Sequence, residues 1–124
     1  MAKLTNRYFQ FLGSSKNAHP SAKPWYPAAD VYQTPDGWVV KVELAGVSVE
    51  DIEIDVQGNV LYLAGCRKDR SIAVGFSYQQ MEITYSSFEK TLSFPAPIDG
   101  VSLDHMFDNG LLIIHLRKGA VKKP

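Results

Sequence analysis

The 124-residue sequence lacks any run near the ~18 consecutive apolar residues that a membrane-crossing helix needs, so no membrane is expected as a partner. It also lacks the apolar core of a secretory leader: the N-terminal cluster Tyr8-Phe9-Gln10-Phe11-Leu12 spans only five residues. Cys66 is the single cysteine, which excludes an intrachain disulfide and fits a reducing compartment. These absences lead us to expect a cytoplasmic protein. The glycines are scattered turn residues with no phosphate-cradling loop among them, so nothing points to ATP or to another cofactor. No segment carries the period of a long helix, and no repeat of 20 to 50 residues occurs.

Net charge is absent too, but its cancellation is uneven. Residues 1–28 carry Lys3, Arg7, Lys16 and Lys23 with no acid, and residues 117–124 carry Arg117, Lys118, Lys122 and Lys123 with no acid. That leaves five basic against thirteen acidic side chains on residues 29–116. An acidic body between basic ends does not suit a nucleic-acid binder, which needs a basic face on the fold itself. The ends are either simply solvated or in contact with the acidic body of a neighbouring copy, and the solvated reading is preferred.

What is present is the pattern of an all-β domain. Residues 1–27 read as an arm: an aromatic cluster, then Gly13-Ser14-Ser15, then Pro20, Pro24 and Pro27, which oppose a stable helix. Tyr8, Phe9, Phe11 and Leu12 form one helical turn or stay extended, and either way are available for contact. Residues 28–118 read as the folded domain and 119–124 as a short basic tail. Val31-Tyr32 is a short strand, followed by the turn Thr34-Pro35-Asp36-Gly37. Trp38, Val40, Val42 and Leu44 alternate with Val39, Lys41 and Glu43, the period of a half-buried strand. Ser48 is placed to cap one helical turn. Ile52, Ile54 and Val56 alternate with Glu53 and Asp55, and Gln57-Gly58-Asn59 turns the chain into Val60–Ala64. Residues 66–87 are the least regular, with a short strand expected around Phe76–Tyr78. Phe88, Lys90, Leu92 and Phe94 alternate again. Asn109-Gly110 then links two strands as a two-residue type I′ turn, whose central residues both need positive φ. Seven to eight short antiparallel strands at this spacing predict an immunoglobulin-like β-sandwich.

The same turn fixes which histidines can meet. A two-residue turn sets Asp108 opposite Leu111, so His105 faces Ile114 and Asp104 faces His115. Consecutive strand residues point to opposite faces, so His105 and His115 cannot chelate one metal. We expect His105 on the core face with Leu103, Phe107, Leu112, Ile114 and Leu116, and Asp104 with His115 as a solvated pair. No histidine or second cysteine lies near Cys66 in sequence, so a half-buried inert thiol is expected. No catalytic or metal-binding constellation emerges, and the chain reads as a non-enzyme.

Several segments, in order, resemble the α-crystallin domain of small heat-shock proteins. Ala29-Asp30-Val31-Tyr32-Gln33-Thr34 looks like the family's opening strand. Val42-Glu43-Leu44-Ala45-Gly46-Val47 resembles x-E-L-P-G-V, with Ala45 in the proline position. Glu50-Asp51-Ile52 and the stretch Val60–Lys68 follow in the same order. Ser86-Ser87-Phe88-Glu89-Lys90-Thr91-Leu92-Ser93-Phe94-Pro95 resembles G-x-F-x-R-x-x-x-L-P, with Ser86 for glycine and Lys90 for arginine. His105-Met106-Phe107-Asp108-Asn109-Gly110-Leu111-Leu112 resembles A-x-x-x-N-G-V-L, with His105 for alanine, and Arg117 replaces the proline before the final lysine. Order and spacing carry the resemblance, which spans about Pro27 to Lys118.

The resemblance implies ATP-independent holding of unfolding client proteins, with Tyr8, Phe9, Phe11 and Leu12 as client contacts. The stretch between Cys66 and Glu82 is about as long as the loop that, in bacterial- and plant-type members, carries a strand into a partner's sheet. That implies a strand-swapped homodimer built on Val31, Tyr32, Phe76, Tyr78 and Met81, with Lys90 pairing an acid across the interface; a folded-back surface loop is the alternative. A groove is implied between the Ile52–Val56 and Leu103–Phe107 strands, with Ile54 and Val56 on one wall and Leu103, His105 and Met106 on the other. The sequence shows no I-x-I after residue 118, and bulky His105 should narrow the groove, so self-assembly through it is not expected. Two rival functions are an adaptor of the CS-domain type and a subunit that co-assembles with a longer relative.

Overall fold

The computed structural model describes residues 24–119. Seven strands form in chain order: β1 (Ala29–Thr34), β2 (Gly37–Glu43), β3 (Ile52–Gln57), β4 (Val60–Cys66), β5 (Ser87–Ser93), β6 (Ser102–Asp108) and β7 (Leu111–Arg117). All pair antiparallel, in a four-stranded sheet ordered β1-β2-β7-β6 and a three-stranded sheet ordered β3-β4-β5. The alternation in the sequence sets which side chains meet between the sheets. Trp38, Val40 and Val42 of β2 and Leu112, Ile114 and Leu116 of β7 point inward from one sheet; Leu61, Leu63 and Phe88 answer from β4 and β5. Leu44, Phe94 and Ile98 belong to the same buried cluster. Trp38 meets Phe94 edge-on at 5.3 Å, a geometry aromatic quadrupoles favour.

The turns follow their local chemistry. Asn109 and Gly110 both have positive φ, 52° and 86°, as a primed hairpin turn requires. The hairpin register is the one expected, with Asp108 opposite Leu111, His105 opposite Ile114 and Asp104 opposite His115. Gly65 is held to glycine by space rather than by φ: a Cβ there would lie 2.4 Å from the Asp51 carbonyl oxygen and 2.7 Å from the Phe88 ring. Val49–Asp51 form a single 3-10 turn. Ser48 precedes it without a side-chain cap, and its carbonyl instead accepts from the Asp51 N–H.

Two expectations are corrected here. The short strand around Phe76–Tyr78 does not form within the chain: residues 67–86 carry no strand, and the Phe76 N–H instead closes a tight turn onto the Ala73 carbonyl at 3.1 Å. The folded body also begins before residue 28. Trp25 and Pro27, read as part of the arm, pack on it, Trp25 meeting Phe88 edge-on at 5.4 Å with Pro27 fully buried.

Candidate functional site: groove, loop and edges

Each sheet ends in strands that pair on one side only: β1 and β6 in one, β3 and β5 in the other. An edge strand keeps a row of N–H and C=O groups available to another chain. Edges β3 and β6 flank a groove of about 440 Å³. Val49 from the 3-10 turn, Ile52, Ile54, Asp55 and Val56 from β3, Leu103 and His105 from β6, and Leu112 from β7 line it. Ile54, Val56, Leu103 and His105 therefore come together along it.

Met106 is not with them. It pairs with Ile113 and is 51% exposed, because the period of two turns it away from its neighbour His105. His105 is corrected as well. It keeps the face of Leu103 and Phe107 yet is exposed, not in the core. The reason is position: β6 is an edge strand, so its inward face looks into the groove rather than onto a packed strand. The groove stays open beside the imidazole.

The second exposed apolar surface is the loop between β4 and β5. Ile72, Val74, Phe76, Tyr78, Met81 and Ile83 are all exposed, Phe76 by 67%. Val31 and Tyr32 are exposed on β1, with the Lys41 ammonium 5.1 Å from the Tyr32 ring centroid. Within the chain these two surfaces do not pair. Lys90 sits half-buried in β5 opposite Leu63. Tyr8, Phe9, Phe11 and Leu12 lie outside the described residues.

The electrostatics are local. Asp51, whose side chain is 15% exposed, receives Lys68 at 3.5 Å and Arg70, both from the start of the loop. Asp104 takes Arg117 at 2.9 Å, while His115 Nδ1 stands 4.0 Å from its other oxygen. The expected Asp104–His115 pair is therefore shared, because Arg117 occupies the same face two residues on. Burial pushes the Cys66 thiol above its usual range, partly offset by Lys68; the side chain, expected to be half-buried, is buried in the structure. Among the described residues, no group of three or more His, Cys, Asp or Glu side chains is placed to hold a metal ion.

The profile of the Hsp20/alpha crystallin family matches residues 30–124. The chain belongs to this family. It is 30% identical over 113 residues to small heat shock protein C2 of Rickettsia felis, covering 91% of this chain and 71% of that one. Among solved structures, heat shock protein 16.0 of Schizosaccharomyces pombe superposes with a TM-score of 0.69 at 28% identity, covering 81% of this chain and 93% of that one. A small heat-shock protein of Xylella fastidiosa gives 0.63 at 26% identity, covering 81% and 92%. Small heat-shock proteins are not enzymes, act generally as chaperones and typically oligomerise. No described helix is long and apolar enough to cross a membrane.

The sequence reading missed Arg67 and Trp25. Arg67 stacks on the Trp25 ring at 3.8 Å and donates to the carbonyls of Thr84 and Ala45. The available signal was a tryptophan set between prolines, a costly side chain to leave in a solvated arm.

Proposed function

We propose that this small heat-shock protein is an ATP-independent holdase, which binds unfolding proteins and keeps them from aggregating. The observation that carries the reading is the exposed apolar loop from Ile72 to Ile83. Partly unfolded chains expose apolar surface, and covering it removes that area from water without any reaction. The groove adds a second surface, where a client strand can pair with a free edge while its side chains meet Ile54, Val56 and Leu103. Tyr8, Phe9, Phe11 and Leu12 are the further client contacts in this reading.

Self-association follows from the same surfaces. A second copy placing its Phe76–Tyr78 strand against Val31-Tyr32 of β1, with Met81 alongside, would add a strand to the edge of β1, which pairs only with β2 in one chain. Lys90 would meet an acid of that copy. The buried free thiol of Cys66 supports a cytoplasmic location. The test is turbidity of an aggregation-prone protein during heating, without nucleotide. Suppression near a one-to-one ratio is expected; full aggregation with the fold intact by circular dichroism would reject the holdase reading.

A further inference from the structure

One side chain joins three segments. β4 ends at Cys66 and β5 begins at Ser87, and the pairing continues one step further, the Arg67 N–H donating to the Ser86 carbonyl at 2.9 Å. The Arg67 side chain then closes the neck of the loop. Its Nε and Nη2 both donate to the Thr84 carbonyl, at 2.9 and 2.8 Å. Nη1 donates to the Ala45 carbonyl at 3.1 Å, in the link after β2. The guanidinium carbon lies over the Trp25 ring, 3.8 Å from its centroid, in the segment through which residues 1–23 join β1. Burial lowers the Arg67 pKa from its ordinary value, with Tyr85 opposing; three directed hydrogen bonds and a ring stack offset that cost.

The site is matched to arginine. A guanidinium has a flat face for the indole and N–H groups splayed in a fixed fork for several carbonyls at once. Lysine would supply one point charge, without the stack or the fork.

We propose that Arg67 is a positioning residue that couples the loop to the root of residues 1–23, setting the direction in which the exposed loop leaves the body. This rests on the reading that the loop contacts a second copy. A long loop loses conformational freedom when it docks; closing its neck in advance removes part of that loss and strengthens association. Any pull on Trp25 is passed through the guanidinium to Thr84.

The test uses the full chain, with Arg67→Lys, Trp25→Leu and, as a loop control, Phe76→Ser. Hydrogen exchange reads the two segments and sedimentation reads self-association. With Arg67→Lys, exchange at residues 84–86 and at 25–28 should rise together by about tenfold or more, with β2 and β7 unchanged. Self-association should weaken by about tenfold. Trp25→Leu removes the stack together with the edge contact to Phe88; it should loosen residues 84–86 in the wild-type background and add no further loosening there once Arg67 is already lysine, whereas lost packing on Phe88 alone would add the same loosening in both backgrounds. Loosening of one segment without the other, or full protection of both, overturns the coupling. Unchanged self-association beside two loosened segments overturns the positioning role. A wild-type chain that is monomeric, with Phe76→Ser changing nothing, shows instead that the loop contact is wrong, and the exchange data still decide the coupling.

Discussion

Strand β7 and the loop between β4 and β5 carry similar apolar patterns with opposite fates. In β7, Leu112, Ile114 and Leu116 alternate with Ile113 and His115 and are fully buried, with β2 on one side and β6 on the other. In the loop, Ile72, Val74, Phe76 and Tyr78 alternate with Ala73, Gly75 and Ser77, yet all four are exposed and no strand forms. An alternating pattern states that a segment can be a strand. Whether it becomes one depends on a neighbour able to pair its backbone and cover its apolar face. β7 finds both within the chain. The loop forms no strand and its apolar side chains stay exposed, which is why we assign it to contacts with other chains.

The largest effects should come from the buried side of this comparison. Phe88→Ala removes a fully buried ring that touches Trp25 and the core, and should cost about 3–5 kcal/mol in a denaturant melt. A loss below about 1 kcal/mol would show that the core is looser than described. Gly65→Ala forces a methyl group against the Asp51 carbonyl and the Phe88 ring, and should cost about 1–3 kcal/mol by the same measurement. Neutral behaviour would mean that the 3-10 turn at Asp51 and the Phe88 ring give way freely there.

On the exposed side the expectation is reversed. Phe76→Ser with Met81→Ser should change stability by no more than about 0.5 kcal/mol per site while lowering the mass measured by light scattering. A large loss of stability at constant mass would place these residues in the chain's own fold. The smallest effect concerns Cys66. Its pKa is raised by burial, so the folded state holds a proton that the unfolded state releases. The contribution is complete below the ordinary thiol pKa of about 8.5 and is lost as pH rises above it. Cys66→Ala should flatten that alkaline decline, measured as melting temperature against pH; an unchanged slope would assign the decline to other groups.

The comparison also explains what the sequence could reveal. Trp38, Val40, Val42 and Leu44 announced β2 because a half-buried strand must alternate, and Asn109-Gly110 announced its turn because few residues accept two positive φ values. The groove was legible as far as Ile54, Val56, Leu103 and His105, whose strands the resemblance placed side by side. It failed at Met106, where the period of two should have overruled adjacency in sequence, and at His105, where facing inward was equated with burial. That equation holds for a central strand and not for an edge. Arg67 was illegible because its partners are backbone carbonyls of Thr84 and Ala45 and the ring of Trp25, 17, 22 and 42 positions away. No local pattern records such a contact.

The central claim is that the exposed loop, not the core, carries contact with other proteins. The most direct test is light scattering of an aggregation-prone protein during heating, without ATP, in the presence of the wild-type chain or of the Phe76→Ser, Met81→Ser variant. The account predicts suppression near a one-to-one ratio by the wild type and clearly weaker suppression by the variant at equal melting temperature. Equal suppression by both would contradict it.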